Sequence, residues 1–278
     1  MKTIFDTYSY DASRRVTKAY STSFYAGVKN LDKKIRNDIH AIYGLVRFAD
    51  EIVDTFHQFD KKILLDEFKK ATYDAIERKI SLNPILNSFQ ATVNKYNIDP
   101  TLIEQFFHSM EMDLSPISYT KEKYDEYILG SAEVVGLMCL KVFVYGDANE
   151  YEKLKPYAMR LGAAFQKINF LRDLKDDCHE LGRVYFPDID TNAMTGEDKS
   201  RIELEIQQDF DEAYKGILML PKSSRFGVYM SYVYYTSLLK LIKKKSLNDL
   251  LSERLRIPDS IKRVLFAKSY VRHSFNRL

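Results

Sequence analysis

Two stretches of this chain repeat apolar residues at three- and four-residue steps: Ile35, Ile39, Ile42, Val46, Ala49 and Val53 in one, and Leu154, Tyr157, Leu161, Ala164, Phe165, Ile168 and Leu171 in the other. That period belongs to the α-helix, and both segments are long enough to run through the core of a domain. Chain breakers are scarce, with 10 Gly and 7 Pro in 278 residues. The predicted breaks fall at Ile98-Asp-Pro100, Ser115-Pro116, Tyr145-Gly-Asp147, Phe186-Pro187 and Pro221. They cut the chain into about nine or ten helices. The run Val228 to Tyr235 comes nearest to strand alternation but reads equally well as an aromatic-rich helix, so little or no sheet is expected. Arg183 to Asp198 reads as a loop. The expectation is one all-α domain over residues 1–278, large enough to enclose a cavity.

Several function classes are set aside by composition. The start, Met1-Lys-Thr-Ile-Phe-Asp6, reaches an acid before a signal-peptide apolar run develops, and the best apolar stretch, Val134 to Tyr145, is short and contains Lys141. Cys139 and Cys178 are the only cysteines, without metal-binding spacing, which fits a reducing cytoplasm. The five histidines form no zinc-like cluster, so any metal is expected to be held by oxygen. Net charge is +3, but from Lys240 onward eleven Lys/Arg stand against three acids. A solvated helix face is the ordinary meaning of such a tail. An anionic membrane surface or a ligand's phosphates come next, and nucleic acid is not expected because no recognition motif accompanies the charge.

Both apolar helices carry acids. At 100° per residue, Tyr43, Arg47, Asp50 and Asp54 fall within about 60° of one another, and Gln166, Asn169, Asp173 and Asp177 share a face of the second helix, flanked by Arg172 and Asp176. One Asp-x-x-x-Asp is ordinarily an acidic pair on a wet helix. Two of them, each in an apolar helix with an arginine within one turn and amide or phenol groups on the same face, point to a cavity where hard cations and phosphate oxygens share carboxylates. Cleaving an allylic diphosphate calls for this set, with a cation to neutralise the leaving group, arginine for bidentate phosphate contact, and apolar aromatic walls around the carbocation. The 20 Tyr and 17 Phe supply such walls, although most serve ordinary core packing.

At these residues the chain resembles the squalene/phytoene synthase family. Asp50-Glu-Ile-Val-Asp54 is similar to its first aspartate-rich motif and Asn169-Phe-Leu-Arg-Asp173-Leu-Lys-Asp-Asp177 to its second. The likeness extends to Ser21-Thr-Ser-Phe24, Met112-Asp113-Leu114 and Gly182-Arg-Val-Tyr-Phe-Pro187, and covers roughly residues 15 to 275. It implies an isoprenoid synthase helical bundle around a central cavity, with two or three Mg²⁺ ions held by Asp50, Asp54, Asp173 and Asp177. It also implies that Arg47, Gln166, Asn169 and Arg172 bind diphosphate and that Ser21, Ser23 and Tyr43 lie near the substrate, with Tyr43 grouped with the catalytic residues. Tyr234 and Arg183 are weaker matches. One departure stands out: where the family has Tyr-x-Tyr-x-Val-Ala-Gly-x-Val-Gly, this chain has Tyr127-Ile-Leu-Gly-Ser-Ala-Glu133-Val-Val-Gly136, with Leu129 and Glu133 replacing Tyr and Gly.

The resemblance implies head-to-head condensation of two prenyl diphosphates through a cyclopropylcarbinyl diphosphate. The first expectation is phytoene from two geranylgeranyl diphosphates in carotenoid biosynthesis. The second is dehydrosqualene, squalene or presqualene diphosphate from farnesyl diphosphate. No GxGxxG accompanies the motifs, so NADPH is not expected and proton loss is favoured as the final step. A terpene cyclase or head-to-tail prenyltransferase fits the spacing of the aspartates less well. A non-catalytic binding relative fits worse, since such a chain should have lost clamp aspartates. The protein is expected in the cytoplasm, with peripheral membrane contact through the basic carboxy-terminal region.

Overall fold

Most helix starts in this chain are made by short polar side chains that accept from the first free backbone N–H groups. A computed structural model describes residues 2–115, 120–174, 186–187, 194–252 and 255–274. It gives α1 (Lys2–Tyr20), α2 (Thr22–Val28), α3 (Lys33–Thr55), α4 (Lys61–Arg78), α5 (Pro84–Tyr96), α6 (Pro100–Met112) and α7 (Lys121–Ile128). A π-helical turn (Leu129–Glu133) follows, then α8 (Val134–Phe143), α9 (Ala148–Arg172), α10 (Gly196–Met219), α11 (Lys222–Lys244), α12 (Leu247–Ser252) and α13 (Asp259–Ser274). No strand occurs among the described residues, as expected, and Val228 to Tyr235 is helical.

Thirteen α-helices among the described residues exceed the nine or ten read from Gly and Pro. Three additional breaks lack those residues, Ser21, Asp32 and Asp60 capping α2, α3 and α4 through their side-chain oxygens; a fourth, where Lys79 leaves α4 with φ 58°, is followed by Pro84 at the start of α5. The predicted breaks hold where Asp99 and Asp147 cap α6 and α9, and Tyr145 and Gly146 turn the chain with positive φ. Most of the predicted loop over 183–198 lies outside the described residues; its end is helical, since Thr195 caps α10 in a reciprocal capping box with Asp198.

α1 packs on α3 and α5 through hydroxyls rather than hydrocarbon. Ser9, Ser13 and Thr17 are fully buried, one turn apart, and meet Asn87, Ser88 and His40 at 3.1, 2.7 and 3.0 Å. Behind this seam Asp38, also buried, accepts from Lys95 Nζ at 2.9 Å and Tyr96 Oη at 2.8 Å. The apolar core forms two clusters, one centred on α3, α5, α6 and α8, the other on α9, α10 and α11. A cavity of about 530 Å³ opens between them, walled by α2, α3, α8, α9, α10 and α11.

The π-helical turn forms part of that wall and brings three helices together. A Cβ on Gly130 would meet the Gln105 carbonyl of α6 at 2.5 Å, and one on Gly162 of α9 would meet the Ala132 carbonyl at 2.7 Å. Both obstacles are backbone atoms that cannot rotate away. Gly130→Ala is therefore expected to destabilise the protein by about 1–3 kcal/mol. Urea unfolding followed by circular dichroism checks this; an unchanged midpoint would contradict the close packing.

Candidate active site

α3 delivers its polar stripe to the cavity. Tyr43, Arg47 and Asp50 line the wall, and Val46 on the same turn keeps the rest of it apolar. Arg47 is shared among several partners. Its guanidinium pairs with Glu51, stands 3.8 Å from Asp50 Oδ2 and lies 4.4 Å from the centre of the Tyr20 ring. Its Nε is buried without a hydrogen-bond partner, as is Ser131 Oγ in the opposite wall. Buried donors in that state call for an acceptor, and a phosphate oxygen at this end of the cavity meets the need.

The carboxylates create the opposite tension. Burial, with Asp54 next in weight and Asp113 and Glu51 adding to it, pushes the Asp50 carboxyl up to about 7, against the pull of Arg47. Burial also pushes the Tyr43 phenol up to about 12, so it stays a neutral hydrogen-bond donor, with Ser21 as a hydrogen-bond neighbour and Phe24 stacked 4.9 Å away. Ser21 both caps α2 and lines the cavity, which joins the two meanings its sequence position allowed.

α9 faces α3 across the cavity with Gln166, Asn169 and Arg172 in the wall. Asn169 donates to Gln166 Oε1 at 3.3 Å and accepts from Tyr235 Oη of α11 at 3.3 Å. Arg172 donates to both oxygens of Asp173, at 2.9 and 2.5 Å. Burial works against the Arg172 charge, but its hydrogen bond to Asp173 and that residue's charge outweigh it and raise the guanidinium above its ordinary value. α9 ends at Arg172, so Asp173 is its C-cap rather than part of a continuous helical stripe, and neither Asp173 nor Asp54 of α3 is a wall residue. Asp177 and Arg183 lie outside the described residues.

Ser23 and Tyr234 are half-buried and are not wall residues. Tyr234 packs edge-on against Tyr235, and Tyr235, stacked 4.0 Å from Phe165, holds the place in the wall. Sequence reasoning missed Tyr235, Tyr20 and Ser131, since no helical stripe singles them out. It also missed a pairing between two quoted motifs, in which Tyr127 of the wall donates to Asp113 at 2.8 Å. The Glu133 departure leaves the wall alone: Glu133 is set among Arg160, Lys167, Asp209 and Asp125, and burial first of all raises its carboxyl to about 7. Lys167 and Asp209 form a buried ion pair at 2.7 Å that ties α9 to α10 beside it.

Among the described residues no three potential ligands are gathered into a metal-holding group. The Asp50–Asp54 pair still suits Mg²⁺, which ordinarily takes one or two protein carboxylates and completes its shell with water and phosphate. Burial and the neighbouring acids that raise the Asp50 carboxyl are conditions that added positive charge would relieve.

The comparisons with known proteins agree with this arrangement. The squalene/phytoene synthase family profile matches residues 17–199. The chain belongs to the squalene/phytoene synthase family. This is a family of prenyltransferase-type enzymes that condense prenyl diphosphates head to head. Tomato (Solanum lycopersicum) chloroplastic phytoene synthase 1 is 28% identical over 95% of this chain and 68% of its own length; its phytoene synthase 2 is 29% identical over 87% and 83%. A dehydrosqualene synthase structure superposes with TM-score 0.82 at 17% identity, over 97% of this chain and 98% of that one. The squalene synthase HpnC of Alicyclobacillus acidocaldarius gives 0.73 at 19% identity, over 85% and 93%. At these identities the structural likeness establishes the isoprenoid synthase fold alone.

A carboxyl whose folded pKa is raised favours the folded state while protonated and loses that advantage as pH rises through its folded pKa. With the Asp50 carboxyl at about 7, metal-free Asp50→Asn is expected to melt above the wild type at pH 8, with the gap closing as pH falls to 4, where the carboxyl is protonated in the folded protein and increasingly so in the unfolded chain. Differential scanning fluorimetry at the two pH values reads this. Equal melting temperatures at pH 8 would show that the carboxylate bears no such strain.

Proposed function

We propose that this chain condenses two geranylgeranyl diphosphates to phytoene in a Mg²⁺-dependent reaction. The observation that carries the reading is a single cavity with two chemically opposite ends. Arg47, Asp50, Asn169 and Arg172 form the polar end, and Phe24, Leu140, Phe143, Leu154 and Ile217 line an apolar body. An amphiphile with a diphosphate head and a long hydrocarbon tail is the ligand such a wall accommodates.

Asp50, Asp54, Asp173 and Asp177 would hold the ions, which supply Lewis-acid neutralisation of the departing diphosphate. The chain's own groups do the rest. Arg47 and Arg172 contact the diphosphate, Tyr43 donates a hydrogen bond as a neutral phenol, and Asn169 and Gln166 fix the head group between α3 and α9. Phe24, Phe165 and Tyr235 exclude water and present aromatic faces to the cation left at C1. The second substrate's double bond attacks that carbon, a proton leaves, and a cyclopropylcarbinyl diphosphate forms. A second ionisation drives rearrangement and loss of a further proton to give the hydrocarbon.

The relatives identified as phytoene synthases support the geranylgeranyl choice. The dehydrosqualene and squalene synthase structures keep a second reading open, in which two farnesyl diphosphates give dehydrosqualene, squalene or presqualene diphosphate. Among the described residues no helix is long and apolar enough to cross a membrane. A cytoplasmic protein meeting lipid at its surface fits both substrates and product.

Incubation with farnesyl or geranylgeranyl diphosphate and Mg²⁺, with and without NADPH, followed by mass spectrometry, distinguishes the two readings. Phytoene from geranylgeranyl diphosphate without NADPH is expected. Asp50→Asn and Asp173→Asn are each expected to lower turnover by at least a hundredfold while circular dichroism stays unchanged. Wild-type turnover in either variant would remove that aspartate from the proposed clamp.

A further inference from the structure

The last described helix, α13, carries apolar side chains on its outer face. Ile261, Val264 and Val271 are exposed, from 48% to 66%, and Phe266 and Tyr270 keep partial exposure although their rings lean on α11. At 100° per residue Val264, Ala267 and Val271 fall within about 60° of one another and form a ridge. Ser269, buried at 3%, marks the opposite, inward side. That side rests on α11, where Phe226 meets Phe266, Tyr270 and His273 with ring centres 6.2, 5.9 and 4.7 Å away. Lys262 near the start of α13 lies 5.6 Å from the Tyr234 ring, so the two helices run antiparallel.

Charge decides what this ridge suits. Arg263 borders it on one flank and Lys268 and Arg272 on the other; with Lys262 the helix holds four basic residues against one acid, Asp259. A second copy docking through the same face would bring like charges together. An anionic lipid surface would satisfy both features at once, taking the valines among the acyl chains and the basic flanks among the headgroups. The location fits the chemistry as well. α13 packs on α11, whose Phe226 is turned to α13 while its Val228, Ser231 and Tyr235 line the cavity.

We propose that α13 seats the protein on an anionic lipid bilayer through Val264, Ala267 and Val271, flanked by Arg263, Lys268 and Arg272. The inference draws on the prenyl-transfer reading only for the usefulness of such seating, because the substrates are amphiphiles and the product is an oil.

Flotation of the full chain with vesicles of phosphatidylcholine and phosphatidylglycerol tests it, beside vesicles of phosphatidylcholine alone. Wild type is expected to float with the anionic vesicles, less as salt rises, and hardly with the neutral ones. Lys268→Glu with Arg272→Glu, and separately Val264→Asp with Val271→Asp, are each expected to weaken binding about tenfold or more. Exposed substitutions at these positions should leave the melting temperature unchanged. Arg78→Glu with Lys153→Glu, an equal charge change elsewhere, should float as wild type does. The proposal is overturned by failure of wild type to float at low salt, by α13 variants that bind normally, by a control that loses binding equally, or by gel filtration showing dimers that the α13 substitutions dissolve. Turnover of detergent-dispersed substrate, measured in parallel, should be the same in wild type and both α13 variants. An inactive wild type that floats would defeat the prenyl-transfer reading and leave the lipid surface standing.

Discussion

Asp50 of α3 sits in a largely apolar wall, where burial and neighbouring acids work against its charge. Asp54, Asp113 and Glu51 act on it there, and Arg47, split between Glu51, Asp50 and the ring of Tyr20, pulls the other way. An apolar surround strengthens repulsion and attraction alike, so such a group is at rest only with added cation, protonated, or bound to a ligand that brings its own metal. The position of the other helices follows from enclosing that end of the cavity and leaving the remainder hydrocarbon. On α9 the arrangement differs: Arg172 closes on Asp173, so at this second acid the compensating charge comes from the adjacent residue.

Enclosure depends on close backbone approach as much as on apolar burial. α6, α9 and the π-helical turn meet where Gly130 and Gly162 leave no room for a Cβ, and the turn sets Ser131, Ala132 and Gly136 into the wall. An extra residue in a helical turn re-aims the side chains after it. Here the effect is to send Glu133 toward the Lys167–Asp209 pair while its neighbours face the cavity. The replacement of a family glycine by glutamate is thus absorbed outside the substrate space.

Much of the fold was legible because apolar spacing in α3 and α9 is set by burial on a single face. The helix count was not, since Ser21, Asp32 and Asp60 start new helices through side-chain hydrogen bonds that composition does not distinguish from ordinary polar surface. The α3 stripe was legible for the same reason as the helix: Tyr43, Arg47 and Asp50 share a face by arithmetic, and they share the cavity. Tyr235 and Tyr20 were illegible, because each enters the site from a different helix at an angle that only packing fixes.

The sequence by itself determined an all-α chain, a polar stripe with Asp50 on α3, and the motifs of the squalene/phytoene synthase family. All of these are local consequences of a 3.6-residue period and of residue chemistry. The tertiary structure decided which groups meet: that Tyr235 rather than Tyr234 reaches Asn169, that Tyr127 bonds Asp113 of a distant motif, and that Glu133 turns from the cavity. It also decided that α13 covers α11 with aromatic rings and leaves a basic, apolar ridge outside. Those contacts join residues far apart in the chain, and their geometry comes from how helices cross and how closely glycines let them approach, which no local pattern encodes.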